Sequence, residues 1–238
     1  MEEARTIPMM KVAVLLLAAG RGTRFGGEIA KQYVKVCGQE ILLHTLHSLS
    51  QESRIAVVQP VIAEGDTMFA NVVAAHHFPF VLLPAVVGGA ERSISMQKGL
   101  AALPDDVDMV AVHDAARPLA SKEVLKNVLD MAALHGAAVP GVAVHDTMKR
   151  INGDGKVLET PSRACLRAVQ TPQVARKDWF EQALKQEKLR LHLHTDDASV
   201  LEAAGFEVYV SQGDVNNRKI TTQDDLLWMQ TLLQGEGL

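Results

Sequence analysis

Residues 11–33 read KVAVLLLAAGRGTRFGGEIAKQY, and this stretch decides the fold. Positions 12–17 are an unbroken apolar run, the pattern of a strand buried on both faces of a parallel sheet. The run breaks into Ala18-Ala19-Gly20-Arg21-Gly22-Thr23-Arg24, where small residues let backbone N–H groups approach a ligand. Gly20 and Gly22 tolerate backbone angles that a β-carbon forbids. Two cations follow, Arg24 and Lys31. A strand, a tight glycine loop and two fixed positive charges make a phosphate cradle. A plain structural turn and a dinucleotide site remain alternatives at this point. The dinucleotide pattern requires a third glycine where this chain has Phe25, and the Walker pattern G-x-x-x-x-G-K-[ST] is absent. A nucleoside triphosphate loop fits the residues better.

The chain around this loop is built like an α/β protein. Its 238 residues are 47% apolar, 22% charged and 4% aromatic, an aliphatic-rich globular profile. That length suffices for one large domain with a substantial core. The net charge of −4 supplies no global basic field, so nucleic acid is not an expected partner. No apolar run reaches membrane-span length, and residues 1–10 lack the basic flank and apolar core of a signal peptide. Cys37 and Cys165 are far apart, without a C-x-x-C, and indicate neither a disulfide framework nor a zinc knuckle. A soluble protein of a reducing, cytoplasmic compartment is expected. The chain ends at Leu238, so no second catalytic domain is expected.

Further along, strands at 55–62, 81–87 and 109–113 alternate with helices at 41–49 and 65–76, the signature of parallel crossovers in a doubly wound sheet. His44 and His47, three apart on the first helix, read as surface histidines. Gly88-Gly89-Ala90-Glu91-Arg92-Ser93-Ile94-Ser95 stands between a strand and a helix, with Ser93 a candidate cap. Met109-Val110-Ala111-Val112-His113 runs into Asp114-Ala115-Ala116-Arg117. An aspartate just past the carboxyl end of a central strand sits where open α/β sheets place their ligand chemistry. Its carboxylate could hold Mg²⁺ or orient a hydroxyl, or form a merely structural pair with Arg117. After an extended stretch at 137–144, polar-alternating segments flank Asn152-Gly153-Asp154-Gly155, a hairpin signal. A hairpin this poor in apolar surface needs a support, and a second subunit is the obvious candidate. Helices are expected at 177–186, at 195–204 with Thr195-Asp196-Asp197 as cap and first turn, and at 222–233. A strand is expected at 206–210. His192 and His194 lie near Asp196 and Asp197, but capping accounts for those acids. One domain over 1–238 with a projecting arm at about 143–163 is the organisation implied.

Together these blocks resemble one family. The loop Ala18-Ala19-Gly20-x-Gly22-x-Arg24 with Lys31-Gln32-Tyr33 is similar to sugar-phosphate nucleotidylyltransferases in general. Joined to Val112-His113-Asp114-Ala115-Ala116-Arg117-Pro118, Asp146-Thr147-Met148-Lys149, Thr171-Pro172-Gln173, Thr195-Asp196-Asp197-Ala198 and Lys219-Ile220-Thr221, it resembles the 2-C-methyl-D-erythritol 4-phosphate cytidylyltransferases of the non-mevalonate isoprenoid pathway. The resemblance spans about residues 11–233. It implies a Rossmann-like nucleotidyltransferase fold, CTP and methylerythritol phosphate as substrates, Mg²⁺ as the ion, and a homodimer. It implies that Ala18, Ala19, Gly20 and Gly22 meet CTP through the backbone, and that Gly89, Ala90 and Ser95 meet cytosine with Arg92 nearby. Arg24, Lys31 and Lys219 would be catalytic. Asp114, Arg117, Thr171, Lys219 and Thr221 would bind the acceptor, and Thr147 and Arg163 on the arm would reach the partner's site. Asp114 is the candidate metal ligand. Two positions depart from the family pattern: Ala90 stands where some relatives carry an acid, and Arg218 where an aliphatic residue is frequent. Rival readings are a ribitol 5-phosphate cytidylyltransferase and a non-catalytic nucleotide-binding module.

Overall fold

The apolar run at the start of the chain becomes β1 (Val12–Ala18), the centre of a mixed sheet in the computed structural model, which describes residues 10–20, 25, 29–188 and 190–235. A 3₁₀ turn at Lys31–Tyr33 leads to the small ribbon of β2 (Lys35–Val36) and β3 (Gln39–Glu40), then α1 (Ile41–Leu49). Next come β4 (Ile55–Ile62), α2 (Phe69–Val73), β5 (Val81–Leu82), β6 (Val86–Val87) and α3 (Arg92–Ala101). The middle holds β7 (Met109–Asp114), α4 (Lys122–His135) and β8 (Ala137–Ala143). The arm contains β9 (Arg150–Ile151) and β10 (Val157–Glu159), after which β11 (Arg167–Val169) and β12 (Gln173–Arg176) return to the sheet. The remaining elements are α5 (Lys177–Gln186), α6 (Asp197–Ala203), β13 (Tyr209–Gln212) and α7 (Gln223–Gly235).

The sheet runs β11-β8-β12-β7-β1-β4-β5, with β13 beside β8 and β6 beside β4. β1 is parallel to β4 on one side and to β7 on the other, Val14 facing Val58 and Ala111. β12 is antiparallel to both β7 and β8, and β11 is antiparallel to β8. The sheet is therefore mostly parallel with two reversed strands. Alternate residues of β1 feed two separate cores, which is why the run has no polar interruption. Val12, Val14 and Leu16 pack with Leu42, Leu46, Val128 and Leu129 from α1 and α4. Ala13 and Leu15 pack with Met96, Leu100, Phe180 and Leu201 from α3, α5 and α6. Burying both faces of a strand in this way removes its whole apolar surface from water. Among the described residues no helix is long and apolar enough to cross a membrane.

Helices at 41–49 and 177–186 and the strand at 55–62 form as the sequence pattern predicts. Other expectations require correction. The expected strand at 81–87 is two short pieces about Pro84, with Val81 and Val87 exposed, because proline lacks the N–H a ladder needs. The helix expected over 65–76 shrinks to Phe69–Val73, and Asp66 Oδ1 accepts from Met68 N and Phe69 N at its start. Ser93 is not a cap: Glu91 holds the N-cap position of α3 without a side-chain bond. In α6 the cap is Asp196, not Thr195, and it accepts from Ser199 N at 3.0 Å in a reciprocal capping box. The strand expected at 206–210 lies at Tyr209–Gln212, and β11 and β12 have no counterpart in the sequence reading. His194 Nε2 lies 3.2 Å from Glu187, and among the described residues no group of three metal-type side chains forms.

One buried chain of bonds shapes the end of β7. His113 Nε2 lies 3.2 Å from the Arg117 carbonyl, which can only accept, so Nε2 carries the proton. Nδ1 then accepts from the Thr171 hydroxyl at 2.8 Å, and Thr171 Oγ1 accepts from Asp114 N at 3.2 Å. Burial lowers the His113 imidazole to about 4, outweighing the neighbouring Asp114 charge, which pulls the other way. Its folded value lies below its unfolded one, so the unfolded chain binds the extra proton between those two values. The contribution is whole above the ordinary histidine value near 6.5 and is lost as pH falls toward 4. In denaturant unfolding, the advantage of wild type over His113→Asn should therefore shrink between pH 6.5 and 4.5, by at most about 1.4 kcal/mol per pH unit. A pH-independent difference would contradict the buried neutral imidazole.

Candidate active site at the carboxyl edge of the sheet

Parallel strands point their carboxyl ends to one edge of the sheet, and four segments meet there. Residues 17–20 leave β1, residues 89–92 follow β6, residues 114–116 leave β7, and Lys219 arrives from the loop before α7. With Lys31, Gln32 and Ser95 they line a cavity of about 250 Å³. Gly22 and Arg24 fall outside the described residues. Of the other proposed nucleotide contacts, Ala18, Ala19, Gly20, Gly89, Ala90, Arg92 and Ser95 all line this cavity.

The glycine pair after β6 is required by close packing. A β-carbon on Gly88 would come within 2.7 Å of Ser95 Oγ and 2.8 Å of Ala19 Cβ, and one on Gly89 would meet Ile94 at 2.2 Å. Ser95 Oγ accepts from Gly89 N at 3.0 Å and donates to Glu91 O at 3.1 Å, so it folds the loop back onto the first turn of α3. Gly20, by contrast, has open space where its β-carbon would be, on the cavity side of β1.

Lys31 is held on a turn with three anchors. Its own Nζ donates to the Ile220 carbonyl at 2.9 Å. The adjacent Gln32 is buried and donates from Nε2 to Ala18 O at 2.8 Å, which ties the turn to the end of β1. Tyr33 is also buried and donates to Asp66 Oδ2 at 2.5 Å. The ammonium is thus presented to the cavity on a rigid support rather than on a loose loop.

The centre of the site is Asp114, buried beneath three cations. Arg92 Nη1 donates to Oδ1, Lys219 Nζ lies 2.9 Å from Oδ2, and Arg117 Nε lies 3.5 Å from the same oxygen. Burial disfavours the charge most strongly, but Arg92, Lys219 and Arg117 together outweigh it and hold the carboxyl well below the usual carboxylate range. Arg92 is itself shared. Its Nη2 and Nε reach Asp197 Oδ2 at 2.6 and 3.2 Å. Asp197, 1% exposed, faces one cation and two further acids, and burial leaves its carboxyl raised despite Arg92. Arg117 Nη1 donates to Asn217 O at 2.7 Å, so the 217–221 loop is fastened to the turn after β7. Among the described residues, Arg117 Nε and Asn217 Oδ1 are buried without a hydrogen-bond partner.

Thr171 lies under Asp114 rather than in the cavity lining, and Thr221 Oγ1 donates to Lys219 O at 3.2 Å. Thr147 and Arg163 are exposed on the arm and do not line this chain's cavity; Arg163 donates to His145 O at 2.6 Å. Ala90 is exposed at the cavity rim. Arg218 stacks 4.9 Å over Trp228 and faces Asp225, which gives it a local packing role. The sequence reading assigned no site role to Gln32, His113, Asp197 or Asn217. The only available signal was a polar residue beside each motif charge, which does not distinguish buried supports from solvated neighbours.

Known proteins resemble this chain over most of its length. The pattern of the 2-C-methyl-D-erythritol 4-phosphate cytidylyltransferase (IspD) family matches residues 12–235. The enzyme of that name from Alkaliphilus metalliredigens is 39% identical over 94% of this chain and 93% of its own length. The one from Symbiobacterium thermophilum is 42% identical over 95% and 94%. Among solved structures, the 4-diphosphocytidyl-2C-methyl-D-erythritol synthase of Anaerococcus prevotii superposes with a TM-score of 0.83 at 27% identity, covering 95% of this chain and 99% of that one. Matched by the family pattern over residues 12–235 and by relatives of about 40% identity over nearly its whole length, the chain belongs to the 2-C-methyl-D-erythritol 4-phosphate cytidylyltransferase family.

Proposed function

We propose that the chain transfers CMP from CTP to 2-C-methyl-D-erythritol 4-phosphate, giving 4-diphosphocytidyl-2-C-methyl-D-erythritol and pyrophosphate, in the non-mevalonate isoprenoid pathway. The observation that carries this reading is the convergence of Lys31, Arg92 and Lys219 with Asp114 on one cavity. A phosphate oxygen of the acceptor attacks the α-phosphorus of CTP. The bond from that phosphorus to the bridging oxygen breaks, and pyrophosphate leaves with the electron pair. The attacking phosphate is already ionised, so the task is to bring two anions together, by positioning and by fixed positive charge.

Arg24 and Lys31 hold the triphosphate over the backbone of Ala18, Ala19, Gly20 and Gly22. Gly89, Ala90 and Ser95 meet cytosine, with Arg92 beside them. Asp114, Arg117, Lys219 and Thr221 form the acceptor side, and Thr171 supports Asp114 from beneath. Mg²⁺ would be held jointly by the triphosphate and Asp114. No three metal-type side chains converge among the described residues, but this ion commonly uses one carboxylate with substrate phosphates and water. Asp114 would supply that oxygen, and the bound ion would supply charge to the phosphate oxygens.

The chain works as one domain whose arm, at about 143–163, joins a second copy. β9 and β10 pair only briefly around the Asn152 turn, and Met148, Ile151, Val157 and Leu158 are exposed along them. An isolated two-stranded ribbon with that much exposed apolar surface is marginal in water. A homodimer covers it and brings Thr147 and Arg163 of each copy to the other's site. The exposed cysteines Cys37 and Cys165 suit a reducing cytoplasm.

Pyrophosphate release with CTP and Mg²⁺, comparing methylerythritol phosphate with ribitol 5-phosphate, tests the activity. Turnover with the first alone is expected, and turnover with ribitol phosphate alone would overturn the acceptor assignment. Lys31→Ala should lower kcat at least about 10²-fold while leaving the melting temperature near that of wild type. Mixed Lys31→Ala and Arg163→Ala subunits should regain about a quarter of wild-type activity, since half the dimers would hold one intact site. No recovery after subunit exchange would exclude shared sites.

A further inference from the structure

We infer that Asp197, on α6, is a positioning residue that aims the Arg92 guanidinium at Asp114 and so sets the geometry in which the acceptor is held. The inference rests on the reading above that Asp114, Arg117 and Lys219 form the acceptor side.

Arg92 begins α3, beside the loop that follows β6, and its side chain spans two buried carboxylates on other elements. Two of its nitrogens, at 2.6 and 3.2 Å, go to one oxygen of Asp197, and the third goes to Asp114. A guanidinium donates in a fixed plane, so engaging Nη2 and Nε on Asp197 fixes where Nη1 points. Asp197 is in turn rigidly mounted. Gln173 on β12 donates to Asp196 Oδ2 at 2.9 Å and accepts from Ala198 N at 2.8 Å, pinning the residues on both sides of Asp197 to the sheet. Gln173 lies opposite Val112 of β7, the strand that ends in Asp114. The frame therefore closes on itself: β7 to β12, β12 to α6, α6 to Arg92, and Arg92 back to β7.

Asp197 also sets the local charge. Asp114 and Asp197 face Arg92, Arg117 and Lys219, two carboxylates against three cations. Without the Asp197 charge, Arg92 has only Asp114 to turn to. It would take both Asp114 oxygens and displace Lys219, whose side chain is 40% exposed and the least confined of the three. The ammonium that should meet the acceptor would lose its reference point, while the backbone contacts to CTP would be untouched.

The test is steady-state kinetics with CTP and 2-C-methyl-D-erythritol 4-phosphate. Asp197→Asn should raise KM for the acceptor about tenfold, with a smaller fall in kcat and the KM for CTP changed less than about threefold. Asp197→Glu, which keeps the charge, should recover most of the loss. Arg92→Lys, whose single ammonium cannot hold both carboxylates, should raise the acceptor KM by a similar factor, alongside any effect on the CTP contacts it borders, and it serves if Asp197→Asn does not fold. Asp197→Asn with a lowered melting temperature but wild-type kinetic constants would overturn the inference and leave Asp197 a purely structural group. Asp114→Asn should itself raise the acceptor KM; if it does not, the acceptor placement fails, and the inference with it.

Discussion

A carboxylate buried in protein must be compensated where it stands, because water is no longer there to do it. Asp114, at the carboxyl end of a central strand, is such a group, and much of the site follows from neutralising it. Arg117 comes from its own turn, Arg92 from the start of α3, and Lys219 from the loop before α7. Three segments far apart in sequence are thereby drawn to one point. Each brings a cation with capacity beyond a single ion pair, and the cluster keeps a surplus of positive charge. A site that joins two phosphate-bearing substrates needs such a surplus, held so that it need not reorganise when they arrive.

The segment that links the two halves of the site is the least regular one. Residues 217–221 form neither helix nor strand, yet Asn217 and Ile220 are wholly buried. Asn217 Nδ2 donates to Thr171 O at 2.9 Å, and Ile220 N donates to Ala116 O at 2.8 Å, so both ends are fastened to the sheet edge. Between them the loop presents Lys219 to Asp114 and offers the Ile220 carbonyl to Lys31. One short loop thus touches both Lys31 and Asp114. A change in its path would disturb both lysines together, whereas a change at the start of α3 would act through Arg92 and Ser95.

How much of this was legible in the sequence depended on whether the cause was local. β1 was plain because it is buried on both faces, so every one of its residues had to be apolar. α1 and α5 were readable to the residue, since their apolar positions recur at helical spacing. Residues 81–87 were misread because one proline split an apolar run at the sheet edge. β11 and β12 were missed because reversed strands of three and four residues, one of them exposed throughout, carry little periodicity. The site shows the same division. The motif charges stood out as letters, but their supports did not. Asp197 looked like a helix-capping acid, and that role belongs to its neighbour Asp196. Two adjacent aspartates at a helix start are indistinguishable until the fold turns one toward the cap, and the other toward a half-buried arginine.

The glycines make the same point from the opposite side. Gly20 and the Gly88–Gly89 pair look alike in sequence, as small residues after strands. Gly20 faces open space, where the absence of a side chain leaves room against the backbone. Gly88 and Gly89 have no room at all, because Ser95, Ala19 and Ile94 occupy the place a β-carbon would take. The first is glycine for what can approach it; the second two are glycine for what is already packed against them. That packing brings the loop after β6 onto the loop after β1, and so closes the side of the cavity from which Arg92 reaches across to Asp114.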